Sequence, residues 1–332
     1  MMKAVVLSKP NQIEIQNVPL PKVRQEDECL ANVEFVGMCQ TDHQLTQKGL
    51  PENRILGHEV VCRLPNEESF FVLNDEIPCG KCSYCVEGLT SHCYHLRELG
   101  VNDNGGYAEK LLAPRSYLHP FDFKNPALGV LVEPLSCTLR GVKRILTALA
   151  LLPVSSPQTL ILGGGVSGAL VTYLLNRDSG FSGDINLYDI TTEKLSWSEY
   201  LSINRIKEPE PDLAHVIIEC SGSSKGLETA FKMVRKGGLV CIYGVPRSET
   251  VFPISPLELF AKEITVIASM AGVTNEIISE AIAIIEQDED FFNHLLGRQV
   301  VLEQVPEELL TWKPQPGTRT FVNVGGNNGN LS

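Results

Sequence analysis

Four cysteines constrain this chain more than any other stretch. Cys79, Cys82, Cys85 and Cys93 are separated by two, two and seven residues. Four thiolates spaced this way close a tetrahedral zinc site with no open coordination position, which is a structural site. Two-residue spacings also serve iron–sulfur clusters. Gly80 and Gly88 supply turns, and little in the segment would order it without an ion. The chain holds ten cysteines, and its N-terminus offers only the four-residue apolar run Ala4 to Leu7 before Ser8 and Lys9. That is too short for a secretory apolar region, so the thiols are read as metal ligands or buried groups in a reducing, cytoplasmic setting.

A second stretch, Val36 to Glu59, presents Cys39, Thr41 and Asp42 after an apolar run, then His58 and Glu59 straight after Gly57. Thiolate and imidazole are ligand types that zinc favours, and a third ligand beside an open position would make a catalytic site. Taken alone, Cys39 also reads as a small apolar strand residue and His58 as a turn residue.

A third signal is the glycine turn Gly163-Gly164-Gly165-Val166-Ser167-Gly168, set between an apolar strand and an apolar helix. Gly163 permits the tight turn, Gly165 lets a pyrophosphate approach the backbone, and Gly168 lets helix and strand pack closely. The helix opening at Val166 then points its positive end at the phosphates. Asp189 ends the next strand, where a carboxylate binds ribose hydroxyls and repels a 2′-phosphate, so NAD is expected over NADP. Methyltransferase-type glycine loops share this grammar.

The remaining pattern predicts two domains in 332 residues. Residues 1 to about 35 alternate apolar and polar positions between turn residues, and short strand-like runs (EVVCRL, SFFVL, AEKLLAP) follow, which reads as a mostly β unit. Residues 127–150 have helical spacing interrupted by Pro134, predicting a helix pair or a kinked helix. Beyond residue 150, six strands alternate with helices, implying a doubly wound parallel sheet, with an abbreviated third unit between Thr191 and Asp212. The strand-like tail segments QVVLEQV and RTFVNVG are expected to rejoin the first domain. The boundaries are placed at 1–150, completed by about 290–332, and 151–289. A net charge of −12 without a basic stripe argues against a nucleic-acid partner, and no run approaches the length of a membrane span.

In order and spacing, MKAVVL, GMCQTD, GHE, the cysteine lobe, NGGYAE, VEP, GGGVSG, IIECSG and KGGLVCIYG resemble the zinc-containing medium-chain dehydrogenase/reductase family over essentially the whole chain. The resemblance implies a GroES-like catalytic domain and a Rossmann domain, two zinc ions per chain, and a homodimer or homotetramer. It also implies hydride transfer between NAD and a secondary alcohol, polyol or sugar hydroxyl. Carried over, Cys39, His58 and Glu133 hold the catalytic zinc, with Cys137 as an alternative third ligand. Glu59 lies beside the metal as an exchangeable carboxylate, Asp42 orients His58, and Thr41 takes the substrate proton. The family's usual relay histidine is replaced by Gln44, leaving His43, water or the cofactor ribose as the proton's way out. NDEI in place of GDRV and a short connection from His58 to Cys79 also depart from the pattern. The alternative reading is a non-catalytic binding subunit that keeps only the structural zinc.

Overall fold

The N-terminal alternation forms strands because its apolar positions fall on one face. Met2–Lys9 buries Met2 and the run from Ala4 to Leu7, and pairs antiparallel with Gln12–Val18 on one side and Arg54–Ile55 on the other. The computed structural model describes residues 1–326 other than 24, 153, 179–180, 202, 209 and 248. The chain divides into two compact units.

The first unit comprises residues 1–136, 272–315 and 319–332. Its organising element is the ten-residue strand Glu28–Gly37. This strand pairs antiparallel with Glu59–Arg63, with Lys110–Pro114 and with the tail strand Arg319–Asn323. The sheet continues through Phe70–Leu73 to Leu118–Phe121 on one side and to Leu296–Val301 on the other. Val5, Leu7, Val33, Val36, Leu56, Val60, Leu73 and Val322 fill the core between this sheet and the N-terminal strands. The tail rejoins the first unit, as its strand pattern predicts.

The second unit comprises residues 137–271 and 316–318. Its sheet is wholly parallel, in the order Asn204–Arg205, Ile185–Tyr188, Thr159–Leu162, Ala214–Glu219, Val234–Ile242 and Thr265–Ala268. Numbered along the unit, that order is 3-2-1-4-5-6, the doubly wound arrangement. Thr159–Leu162 is buried throughout, which is why it reads as a continuous apolar run. The third strand has two residues, and no helix among the described residues links it to Ala214–Glu219.

Two expectations shift. Residues 127–150 form neither a pair nor a kinked helix: a 3₁₀ turn, Pro126–Leu131, leads into the uninterrupted helix Val132–Leu149. Pro134 lies in that helix's first turn, where backbone N–H groups have no intrahelical acceptor, so its missing donor costs nothing. The units part between Ser136 and Cys137 and between Ala271 and Gly272, against the expected 150 and 289, because the long helix itself carries the chain across.

Helix Val166–Arg177 lies so close to the strand before it that a Cβ on Gly168 would fall 1.9 Å from the Gly163 carbonyl oxygen. At Gly165 a Cβ would meet no heavy atom within 4 Å, and its φ of −70° suits any residue. Gly168→Ala is therefore expected to cost about 2 kcal/mol in urea unfolding, and Gly165→Ala to leave stability nearly unchanged. Equal midpoints for the two variants would contradict this packing.

Candidate metal and dinucleotide sites

Strand register assembles the first site. Gly37 pairs opposite Glu59 on one side and Phe321 on the other, and Met38 N–H donates to the Thr320 carbonyl. Cys39 therefore leaves the end of its strand beside His58 and Glu59, and Arg319 arrives from the tail. Ligand atoms of Cys39, His58 and Glu59 all lie within 4.8 Å of one another. Gly37 is essential to this arrangement, since a Cβ there would stand 1.9 Å from Glu59 Oε2.

Helix Gln40–Lys48 starts at Cys39, and Asp42 reaches back so that its Oδ2 accepts the Cys39 N–H at 3.0 Å. Tyr107 donates its hydroxyl to the same oxygen at 2.8 Å, while Asp42 Oδ1 faces His58 Nδ1 at 3.4 Å. With Nδ1 turned to Asp42, Nε2 is the nitrogen left for an ion, the usual division of labour in a metal-bound imidazole. Burial alone would lower the His58 pKa, but Asp42 and Cys39 together outweigh it and hold it well above 6.5. Burial pushes Glu59 up to about 7 against the opposing pull of Arg319, with Glu133 adding to the rise. Arg319 Nη2 stands 2.9 Å from Glu59 Oε1, and its Nη1 donates to the Met38 carbonyl at 3.0 Å.

Among the described residues, buried polar atoms without a hydrogen-bond partner concentrate here: Asp42 Oδ1, His58 Nδ1, both Glu59 oxygens, Asp75 Oδ1 and Arg319 Nε. Such groups are costly without a partner. A half-buried cysteine sulfur with a buried imidazole and carboxylate, all within reach of one another, fits a zinc ion with a position left open. Glu133, expected as the third ligand, lies outside this mutually close set, although it raises the pKa of Glu59, Asp75 and Glu76. Register brings Glu59, rather than Glu133, into that close set. Thr41 is half-buried in the first turn of its helix. His43 Nδ1 bonds the Leu309 carbonyl at 2.7 Å and its ring stacks on Trp312 at 5.1 Å, which leaves Nε2 as its nitrogen for any proton transfer. Tyr107 and Arg319 carried no motif of their own: Tyr107 was visible only within NGGYAE, and Arg319 only as the start of a tail strand.

The NGGY segment fixes the GHE turn. Gly105, Gly106 and Tyr107 donate to the carbonyls of Ile55, Gly57 and Leu56, and a Cβ on Gly105 would lie 2.3 Å from the Gly57 oxygen.

In the cysteine lobe, Sγ separations are 3.5 Å for Cys82–Cys85, 3.8 Å for Cys82–Cys93 and 4.0 Å for Cys79–Cys85. Sulfurs about 2.3 Å from one zinc ion lie about 3.8 Å apart, so the four fit a closed tetrahedral site. Backbone N–H donors, chiefly from Cys85, draw the Cys82 thiol down to about 6, and partial burial with crowding by the other sulfurs pushes Cys85 up to about 12. The lobe's base is the short ladder of Glu76–Ile77 with Arg97–Glu98, in which Glu76 pairs opposite Glu98.

In the second unit, Gly163 adopts φ +109°, and the N–H of Gly164 donates to Asp189 Oδ2 at 2.8 Å. Asp189 Oδ1 accepts the Thr191 N–H at 2.8 Å, and Lys194 Nζ stands 3.8 Å from Oδ2. The buried Trp197 donates to the Gly164 carbonyl at 2.9 Å and braces the turn. No side chain caps the helix that begins at Val166. Its first N–H groups and the open space at Gly165 fit a diphosphate.

Residues 25–123 match the alcohol dehydrogenase GroES-like domain and residues 193–287 the zinc-binding dehydrogenase domain, together more than half of the chain. The chain belongs to the zinc-containing medium-chain dehydrogenase/reductase family. Within this family of oxidoreductases it is 24% identical to D-altritol 5-dehydrogenase of Agrobacterium fabrum, over 83% of this chain and 86% of that one. It superposes with a TM-score of 0.82 on a Sinorhizobium meliloti protein assigned as a zinc-binding dehydrogenase and bound to NADP. That match has 24% identity and covers 97% of this chain and 99% of the other. Acetophenone reductase of Geotrichum candidum, in complex with NAD, gives a TM-score of 0.83 at 18% identity, covering 97% of each chain. No helix among the described residues is long and apolar enough to cross a membrane.

Glu76 provides a test of the lobe's electrostatics. Burial first, then Glu98 and Glu133, raise its pKa to about 7, opposed by the backbone N–H groups of Val273 and Gly272. A carboxyl whose folded pKa exceeds its unfolded value of about 4.3 holds more protons when folded, so its contribution to stability falls as pH rises between the two values. The Tm advantage of Glu76→Gln over the parent should therefore grow between about pH 5 and pH 8. An advantage that shrinks over that range would show that Glu76 is not held protonated by its surroundings.

Proposed function

We propose that this chain is a zinc-dependent, NAD-linked oxidoreductase acting on a polyol, sugar or secondary alcohol. The observation that carries this reading is the buried, hydrogen-bond-starved cluster of Cys39, His58 and Glu59, beside Arg319 and Asp42. Cys39, His58 and Glu59 hold the catalytic ion, with Glu133 close by, and Cys79, Cys82, Cys85 and Cys93 hold a structural one. Bound zinc supplies Lewis-acid polarisation of a substrate oxygen, and the nicotinamide supplies the hydride acceptor. Asp42, braced by Tyr107 and the Cys39 N–H, fixes the ring of His58 and its tautomer. Arg319 holds the Glu59 carboxyl in place and opposes, in part, the rise that burial gives its pKa. Thr41, in the first turn of the helix that Cys39 opens, receives the hydroxyl proton. The glycine turn and the N-terminus of the helix from Val166 hold the cofactor diphosphate, and Asp189 meets the adenosine ribose.

A polyol is favoured by the similarity to D-altritol 5-dehydrogenase and by a carboxylate, in place of a second thiolate, beside Cys39 and His58. NAD is favoured over NADP because Asp189 is anchored beside the glycine turn, where a 2′-phosphate would meet its charge. Lys194 lies near enough to soften that preference. Self-association as a homodimer or homotetramer is supported by the edge strand Thr265–Ala268 and the exposed Leu257, Phe260 and Met270 nearby.

Protein purified without chelator should contain about two zinc ions per chain and oxidise pentitols or hexitols with NAD. Cys39→Ser should hold about one and lose turnover by more than about a hundredfold. A Cys39→Ser protein with full zinc content and near-parental turnover would reject the metal assignment. The parent should prefer NAD over NADP in kcat/KM by about tenfold or more, and Asp189→Ala should narrow that ratio. An unchanged ratio would remove Asp189 from the cofactor site.

A further inference from the structure

A cavity of about 680 Å³ in the first unit has none of Cys39, His58 and Glu59 in its lining. Its walls include Val6, Val18, Ile55 and Leu111, from the N-terminal strands, the short strand Arg54–Ile55 and the start of Lys110–Pro114, with Leu20 and Leu99 from the segments that follow Gln12–Val18 and Arg97–Glu98. In a chain of net charge −12, its lining carries Lys22, Arg54, Arg97 and Lys110 against only Glu28 and Asp103. Two of these cations are engaged: Arg97 Nε and Nη2 each lie 3.0 Å from Asp103 Oδ2, and Lys110 donates to Asn32 at 2.6 Å.

Arg54 is different. Its side chain is only 15% exposed and makes long ion contacts, 3.7 Å to Glu52 and 3.9 Å to Asp103. It donates no hydrogen bond to any described residue; its Nε is closed to solvent, so the donors it offers the cavity are those of Nη1 and Nη2. A guanidinium carries five N–H donors in a planar fork suited to a carboxylate, and buried donors without acceptors are rare in folded proteins.

We propose that this cavity is a binding site for a small amphipathic carboxylate, with its carboxyl on Arg54 and its apolar body along the wall formed by Val6, Val18, Ile55 and Leu111. A monoanion suits the site because Asp103 and Glu28 would repel a second charge. The occupant touches a segment that leads to the metal cluster. Ile55 donates its N–H to Asn104 at 3.1 Å and accepts the Gly105 N–H at 2.8 Å, and two residues further on Gly57 begins the GHE turn.

The test is calorimetric titration of the zinc-loaded full chain with octanoate, with 1-octanol as the uncharged control. Octanoate should bind saturably and raise Tm, and 1-octanol should bind more weakly. Arg54→Met should weaken octanoate by about tenfold or more. Leu20→Trp, at a position 39% exposed and so safe for folding, should obstruct the cavity and also reduce binding. Cys39→Ser should leave octanoate affinity unchanged, which separates this cavity from a carboxylate seated on the catalytic metal. Absence of saturable binding at millimolar octanoate would overturn the proposal. So would equal affinity for 1-octanol, or binding lost in Cys39→Ser and kept in both Arg54→Met and Leu20→Trp.

Discussion

The structure of the first unit depends on the pairing of one strand, Glu28–Gly37, with three others. At its C-terminal end it has Glu59–Arg63 on one side and Arg319–Asn323 on the other, and Gly37 is the residue they share. A side chain at 37 would occupy the space of the Glu59 carboxylate. Because strand side chains alternate with a period of two, a one-residue slip would turn Glu59 to the opposite face and bring Val60 towards Cys39. The apolar burial of Val33, Val36, Val60 and Val322 makes that slip costly. The metal cluster is thus specified by core packing several residues away from it.

That specification comes with an electrostatic penalty. Asp42, His58, Glu59 and Arg319 are removed from water within a few ångströms of one another, and burial is the largest influence on the pKa of His58, Glu59 and Arg319. The hydrogen bonds from Tyr107 and Cys39 to Asp42 and the contact of Arg319 with Glu59 offset part of it. Of the atoms left unpaired, the two Glu59 oxygens are the ones that suit a cation beside Cys39 and His58. The cysteine lobe solves the opposite problem. It buries little, so a closed four-thiolate site is the device its sequence offers for ordering it, whereas the residues around Cys39 are positioned by the strand core.

This contrast explains what could be read in the sequence. The four cysteines were legible because a closed tetrahedral site needs fixed local spacing, and the glycine turn because a strand, turn and helix are contiguous. The strand Thr159–Leu162 was legible for the same reason: it is a buried apolar run and reads as one. The third ligand was not, because Glu59 or Glu133 is decided by register between distant strands. Pro134 appeared to break a helix that it in fact begins. Tyr107 and Arg319 act through contacts across 65 and 260 positions of sequence, to Asp42 and Glu59, and no local pattern marks such residues.

The position of His43 follows from the same geometry. Helix Gln40–Lys48 is short and has two duties on two faces. Asp42 turns toward Cys39 and His58, and His43, about a hundred degrees further round, turns to the tail helix Val305–Thr311 and stacks on Trp312. Trp312 in turn donates to Gln40 at 2.7 Å, so the tail grips the helix at its first turn. His43 thereby ties the helix that opens at Cys39 to the tail. The C-terminal segment therefore supports the cluster twice, through Trp312 behind the helix and through Arg319 on Glu59. The residues that look most remote in the sequence are the ones that hold the chemistry in place.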